Sequence, residues 1–312
     1  MTNTETNNQF IPPRGGSEIA AYHLSRYVDI SNVNLVLSVC SPEVLSATKR
    51  NIVWQQLNVN EAAVQGMDDP SFVDGVDAFV YNSHWCYEQF RRRFNVPANK
   101  SFVIRNGVCP FARKPKPLGK IKLVYTSTPW RGLEVLLKVF SQLSRDDIEL
   151  DIYSSTIIYG SQFHSFTHHQ WDPLFEYAKT IPGVNYRGYA ENSVVREALL
   201  NSHILSYPNT WEETSCMAVA EAMAAGCQVI TTNLGALYET CGEFGTLVPY
   251  GSDLDDLVNR YACVLNQTID TYWEAGNQAR LHTQANFYNK QWSWANRAVE
   301  WRQLLKHIGG TT

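Results

Sequence analysis

Tyr207-Pro208-Asn209-Thr210-Trp211-Glu212-Glu213-Thr214-Ser215-Cys216 leads into an alanine-rich segment, Met217 to Ala225, and then into Gly226-Cys227-Gln228-Val229-Ile230-Thr231. The apolar run before this stretch, His203 to Tyr207, reads as a strand. The alanine-rich segment reads as a mostly buried helix closed by a glycine, and the run from Gln228 as the next strand. Within the helix one residue is out of character: Glu221 lies among alanines, methionines and a valine. A carboxylate there is costly unless something pairs with it, and the two hydroxyls of a ribose suit one carboxylate. Glu213 lies eight residues earlier, where the helix should begin, and Thr214 or Ser215 is placed to cap it. A helix N-terminus directly after a strand also offers unpaired backbone N–H groups to a phosphate. A sugar, a diphosphate and a ribose, in that order, would match these groups. The plainer alternative makes Glu213 a first-turn acid that favours the helix dipole, with Glu221 paired to an arginine.

Outward from this unit the chain alternates strands and helices. Strands are expected at Val33 to Val39, Ile52 to Leu57, Val76 to Tyr81 and Phe102 to Ile104, with helices at Gly16 to Tyr27 and Trp85 to Phe94. After a proline- and lysine-rich stretch, Pro110 to Lys120, which reads as a linker, the alternation resumes. It runs through strands Ile121 to Tyr125, Ile148 to Tyr153 and Val184 to Arg187, and helices Leu133 to Leu143 and Ser193 to Asn201. Strand Thr246 to Val248 and a helical tail follow. Repeated β-α-β units predict parallel sheets in an α/β architecture, with ligands at the carboxyl ends of the strands. The dinucleotide fingerprint G-x-G-x-x-G is absent, which argues against a nicotinamide or flavin enzyme.

Composition sets the outer bounds. With 312 residues there is room for two domains, and 44% hydrophobic with 18% charged residues is the balance of a globular protein. A net charge of −4 gives no global attraction to nucleic acid or membrane. Seven cysteines without a C-x-x-C pair point to a reducing compartment. With no signal peptide and no membrane-length apolar run to read, a cytoplasmic location is expected.

The residues resemble the retaining glycosyltransferases of family 4. The resemblance rests on Glu213 to Glu221 with the following Ala222-Met223-Ala224-Ala225-Gly226, on Gly15-Gly16-Ser17-Glu18, on Asn106-Gly107-Val108, on Arg131-Gly132-Leu133, and on Leu234-Gly235-Ala236-Leu237-Tyr238-Glu239. It implies a GT-B fold: two Rossmann-like domains facing a cleft, here residues 1–112 with a shortened first domain and residues 113–289, with a final helix at 290–308 returning to the first. It implies transfer of a sugar from a nucleoside diphosphate donor to an acceptor hydroxyl. Glu221 would then bind the ribose and Glu213 the donor sugar. The N–H groups around Thr214, Ser215 and Cys216 would face the sugar or diphosphate. Arg131 would neutralise the leaving group, and the amides of Gly15 and Gly16 would approach it from the other domain. The resemblance also implies that no metal and no cofactor is needed.

The sequence departs from that pattern in three places. The second basic residue usual before Arg131 is missing from Val124-Tyr125-Thr126-Ser127-Thr128-Pro129, which leaves Ser127 or Thr128 to bond phosphate. The usual histidine of the first domain is missing, and Gln56 or Asn58 stands near its place. The usual strand before Gly15 is not visible in the polar residues 1–10. These departures keep open a non-catalytic nucleotide-sugar or glycan-binding protein and, more remotely, a nucleotide-sugar epimerase.

Two further features call for a reading. His164, His168 and His169 fall in a stretch read as a loop over the cleft, with metal ligation as the lesser alternative. From Arg91 to Lys122 there are ten Lys or Arg residues and no acid. That stretch reads either as a solvated face with linker or as a site for an anionic acceptor, nucleic acid included.

Overall fold

The computed structural model describes residues 15–309. The expectation about a strand before Gly15 therefore lies outside the described residues. The chain opens with α1 (Gly16–Ser25), β1 (Val33–Leu37), β2 (Arg50–Gln55), α2 (Pro70–Gly75), β3 (Ala78–Tyr81), α3 (His84–Arg93) and β4 (Ser101–Val103). The four strands form one parallel sheet in the order β1-β2-β3-β4. β2 and β3 are buried almost throughout, as the apolar runs Ile52–Trp54 and Ala78–Tyr81 require when both faces of a parallel sheet are covered.

The second half contains β5 (Ile121–Tyr125), α4 (Leu133–Leu143), β6 (Ile148–Ile152), α5 (Ser161–Thr167), α6 (Asp172–Thr180) and β7 (Val184–Tyr186). It continues with α7 (Asn192–Asn201), β8 (Ile204–Tyr207), α8 (Met217–Ala224), β9 (Gln228–Thr232), α9 (Leu237–Cys241), β10 (Thr246–Val248) and α10 (Leu254–Asp270). Its parallel sheet has the order β10-β9-β8-β5-β6-β7. The chain starts at β5, runs outward to β7, and returns to β8 on the other side. β5 and β8 therefore flank a topological switch point, the place where open α/β sheets bind ligands outside the carboxyl ends of their strands.

The two halves are tied together by α11 (Ala275–Gln291) and α12 (Trp294–His307). α12 crosses to the first sheet, where Trp294, Trp301, Leu304 and Leu305 join a core with Leu24, Trp54 and Val80. Trp301 meets Trp54 edge-on at 4.9 Å. At the crossing Val108 donates its N–H to Trp292 O (2.7 Å), and Trp294 N–H returns to Val108 O (3.2 Å).

Three expectations need correction. The stretch read as a loop around His164 contains α5, whose apolar members Phe163 and Phe166 are partly or largely exposed, so no buried stripe betrays the helix. The cap of α8 is Cys216, with no side-chain capping bond, because Thr214 is engaged elsewhere. The stretch from Pro110 to Lys120 is packed rather than loose. Phe111 is buried and its N–H bonds Asn289 Oδ1, and Lys116 Nζ satisfies the carbonyls of Leu199, Leu200 and Ala225.

Candidate functional site

A cleft of about 770 Å³ opens between the carboxyl edges of the two sheets. Gly15, Gly16, Ser127, Arg131, Glu213, Thr214, Ser215 and Cys216 all line it. Glu221 is not among its lining residues. The lining reaches Met217 and Ala218 on α8, and Glu221 lies about one turn beyond.

Two glycines bring the key loops together. Gly132 starts α4 at φ +98°, and a Cβ there would meet Pro208 O at 2.0 Å. This close approach lets the Arg131 loop lie on the loop after β8. Gly235 (φ +66°) faces Glu213, whose backbone a Cβ would meet at 2.4 Å, and Ala236 N–H bonds Glu213 O at 2.7 Å. Glu213 is therefore fixed by its backbone before its side chain is considered.

The side chains complete the arrangement. Arg131 pairs with Glu213 through Oε1, and the Tyr207 hydroxyl donates to the same oxygen at 2.6 Å. Burial pushes the Tyr207 phenol well above its ordinary range, and the Glu213 charge adds to that, so it stays protonated and donates. Burial works against the Arg131 charge, but Glu213, Tyr207 and Tyr159 together more than offset it, and its pKa rises. Oε1 is thus doubly engaged. Arg131 Nε and the hydroxyls of Thr126 and Thr128, all buried, have no protein partner. Both threonines line the cleft. Buried polar groups left without partners at one end of a cleft are those a polar ligand would satisfy. β5 positions the threonines and β8 positions Tyr207, so the group straddles the switch point.

The first half supplies uncharged and acidic groups. Gln56 and Asn106 exchange amide hydrogen bonds (3.0 Å each). Asn82 Nδ2 donates to Thr214 Oγ1 (3.1 Å), and Thr214 Oγ1 donates to Gln56 O (2.9 Å). Thr214 is thus a bridge between the halves. Asn58 Nδ2 donates to Glu212 Oε2 at 3.0 Å. A second bridge lies at Glu239, whose carboxylate accepts the N–H groups of His84 (3.0 Å) and Trp85 at the start of α3 and also faces Arg105. Ser83 caps α3, accepting Cys86 N–H at 2.9 Å.

Glu221 pairs with Arg196 at 3.5 Å. Burial raises the Glu221 pKa, and Arg196 works against the rise. Arg196 is held independently by Cys109 O and Pro110 O and lies 3.7 Å over the Phe111 ring.

The histidine cluster is locally engaged. His164 Nδ1 lies 2.7 Å from Thr156 Oγ1, and His168 Nε2 lies 2.9 Å from Asp172. Among the described residues no group of three His, Cys, Asp or Glu is arranged to hold a metal.

The basic stretch is largely consumed. Arg91 pairs with Glu88, Arg93 with Asp68, Arg105 with Glu239, Lys114 with Glu197 and Lys122 with Glu149. Lys100 and Lys116 bond carbonyls, and Arg113 contacts His282. The solvated and paired reading therefore describes most of it, rather than an open anion site.

Sequence reasoning missed Tyr207, Glu212 and the Glu239 bridge. Tyr207 was open to discovery as the last residue of a strand at the carboxyl edge. The other two contacts join residues 154 and 155 positions apart, and nothing local announces them.

Two parallel α/β units with a cleft across their carboxyl edges, one in Rossmann order, define the GT-B class of glycosyltransferase fold. Residues 120–267 match the family model for "Glycosyl transferases group 1". Comparison with curated proteins found no match. Among solved structures, a glycosyltransferase from Rickettsia africae is 16% identical with a TM-score of 0.70, covering 100% of this chain and 85% of its own. HepE of Anabaena, solved with UDP, is 14% identical with a TM-score of 0.66, covering 93% and 82%. The pneumococcal O-GlcNAc transferase GtfA, solved with UDP and GlcNAc, is 15% identical with a TM-score of 0.63, covering 94% of this chain but 60% of its own. At these identities the structures establish the fold, and the family match supports sugar transfer. No described helix is long and apolar enough to cross a membrane.

Proposed function

We propose that the protein transfers a sugar from a nucleoside diphosphate donor to an acceptor hydroxyl with retention of anomeric configuration. The observation that carries this reading is the Arg131–Glu213–Tyr207 group beside the unpartnered Thr126 and Thr128 hydroxyls at the switch point. Arg131 and these hydroxyls would receive the diphosphate, with amides at the start of α8 beside them. Glu213, with Oε1 engaged, would offer Oε2 to the hydroxyls of the donor sugar. Glu221 would turn to the ribose hydroxyls from its long contact with Arg196. That HepE and GtfA were solved with UDP makes a UDP-sugar the first donor to try.

In the proposed step the bond from the anomeric carbon to the diphosphate oxygen breaks. The acceptor oxygen bonds to the same face of that carbon, and its proton passes to the departing diphosphate. Arg131 holds the charge that develops on the leaving group, so the reaction needs no enzymatic nucleophile. Cation and hydroxyls together would make metal dispensable, and turnover should survive EDTA. A non-catalytic nucleotide-sugar-binding role is favoured by one observation, that Arg131 is the single Lys or Arg lining the cleft among the described residues. It predicts donor binding with no sugar release. Proton NMR of the product formed from a UDP-α-sugar decides the stereochemistry: an α-linked product supports the reading, and a β-linked product contradicts it.

A further inference from the structure

The rings of the cleft fall into two kinds. Trp130 is enclosed by Tyr159, Phe163 and Trp171, with centroids 5.9–6.1 Å away. Trp211 also lines the cleft, makes no ring contact among the described residues, and is 40% exposed. Its backbone is nevertheless fixed. The buried Asn209 accepts Trp211 N–H at 3.1 Å and donates to Trp211 O, and Thr232 holds Asn209 O at 2.7 Å. A rigidly mounted ring with an open face is a surface for stacking. Its chain neighbour Glu212, bonded to Asn58, lines the same cleft, as does Glu61 of the first half.

Charge narrows the occupant. Among the described residues the cleft is lined by four carboxylates, Glu18, Glu61, Glu212 and Glu213, against one guanidinium, Arg131, which gives 1 − 4 = −3. Such a lining repels a second anionic substrate. The basic stretch that would have drawn an anion is mostly engaged in ion pairs and carbonyl contacts. Carboxylates accept hydrogen bonds only, so they favour a partner rich in hydroxyl donors. The negative face of an indole favours the polarised C–H face of a pyranose.

We infer that the second substrate is an uncharged glycan, stacked on Trp211 with its hydroxyls on Glu61 and Glu212. The inference rests on the proposed transfer reaction and names the acceptor class for that site. Its test is an immobilised glycan array carrying neutral, sialylated, sulfated and phosphorylated glycans, probed with the protein in the presence of UDP. Neutral glycans should be retained, about tenfold more weakly by Trp211→Ala, with recovery in Trp211→Phe. Glu61→Lys should begin to retain anionic glycans. Retention of anionic glycans alone, retention of none, or equal retention by Trp211→Ala would overturn the inference. Calorimetry with UDP on the same preparation separates the two levels. UDP binding without glycan retention defeats this inference and leaves the donor site standing. Glycan retention without UDP binding defeats the transfer reading instead.

Discussion

The two edges of the cleft both carry glycines, and the glycines do different work. On the second-half edge a side chain at Gly132 would collide with Pro208 O at 2.0 Å, and one at Gly235 with the backbone of Glu213. Those glycines are required by the fold, because they let the loops after β5 and β8 touch. On the first-half edge a Cβ at Gly16 would meet nothing within 4 Å among the described residues, and one at Gly15 would meet the flexible end of Glu18 at 2.9 Å and the Tyr159 ring at 3.3 Å. At Gly16 no described residue demands the open space, and a ligand can. The second half thus carries a preformed, buried set of charged groups. The first half presents a bare backbone edge, amides and carboxylates.

The contrast breaks most easily at Gly132. Gly132→Ala should destabilise the protein by more than about 3 kcal/mol, read from the urea midpoint. Gly16→Ala should leave that midpoint within about 0.5 kcal/mol of wild type while weakening donor binding, seen by calorimetry. Equal stability losses at both positions would erase the distinction. Next in size is Arg131→Ala, expected to lower the rate of sugar release by roughly 10²–10³. Full turnover with an identified acceptor would remove Arg131 from the leaving-group role.

Smaller effects sharpen the picture between the two halves. Glu239→Ala strips the start of α3 of its acceptor and leaves Arg105 without its carboxylate. It should cost about 1–3 kcal/mol in urea unfolding. An unchanged midpoint would show that the bridge does not hold the halves together. The smallest effect is at Glu221. Because its folded pKa is raised, its stabilising contribution is fully present below the unfolded value of 4.5 and is lost as pH rises through the folded value. Arg196 keeps its carbonyl and ring partners without it, so Glu221→Gln should be neutral or stabilising by about 1 kcal/mol at pH 7. Its advantage over wild type should shrink as the pH is lowered toward 4.5. A clear loss of stability at pH 7 would make Glu221 a structural carboxylate.

Much of this was legible in the sequence because it is periodic or local. The runs Ile121–Tyr125, Ile204–Tyr207 and Gln228–Thr232 are short, apolar and bounded by turn residues, and alternation with helices dictated parallel pairing. Gly132 and Gly235 were visible as members of family-like motifs, though not the backbone contacts that require them. What could not be read was set by distance through the chain. The Arg131–Glu213 pair spans 82 residues, and the Glu239 contact with α3 spans 155. α5 escaped because Phe166 is largely exposed and Phe163 is only partly covered, by Trp130 and Tyr159, so the two give no buried apolar stripe. The run of ten cations left two readings open, because its partners, such as Asp68, Glu149 and Glu197, lie outside the run itself.

The most direct test of the donor site is calorimetric titration of the protein with UDP, GDP and ADP, with Arg131→Ala as the comparison. Micromolar binding of one nucleotide, weakened at least about tenfold in the variant, is the predicted result. Absence of binding by all three, or binding indifferent to Arg131, would contradict a donor site built on the Arg131–Glu213 pair.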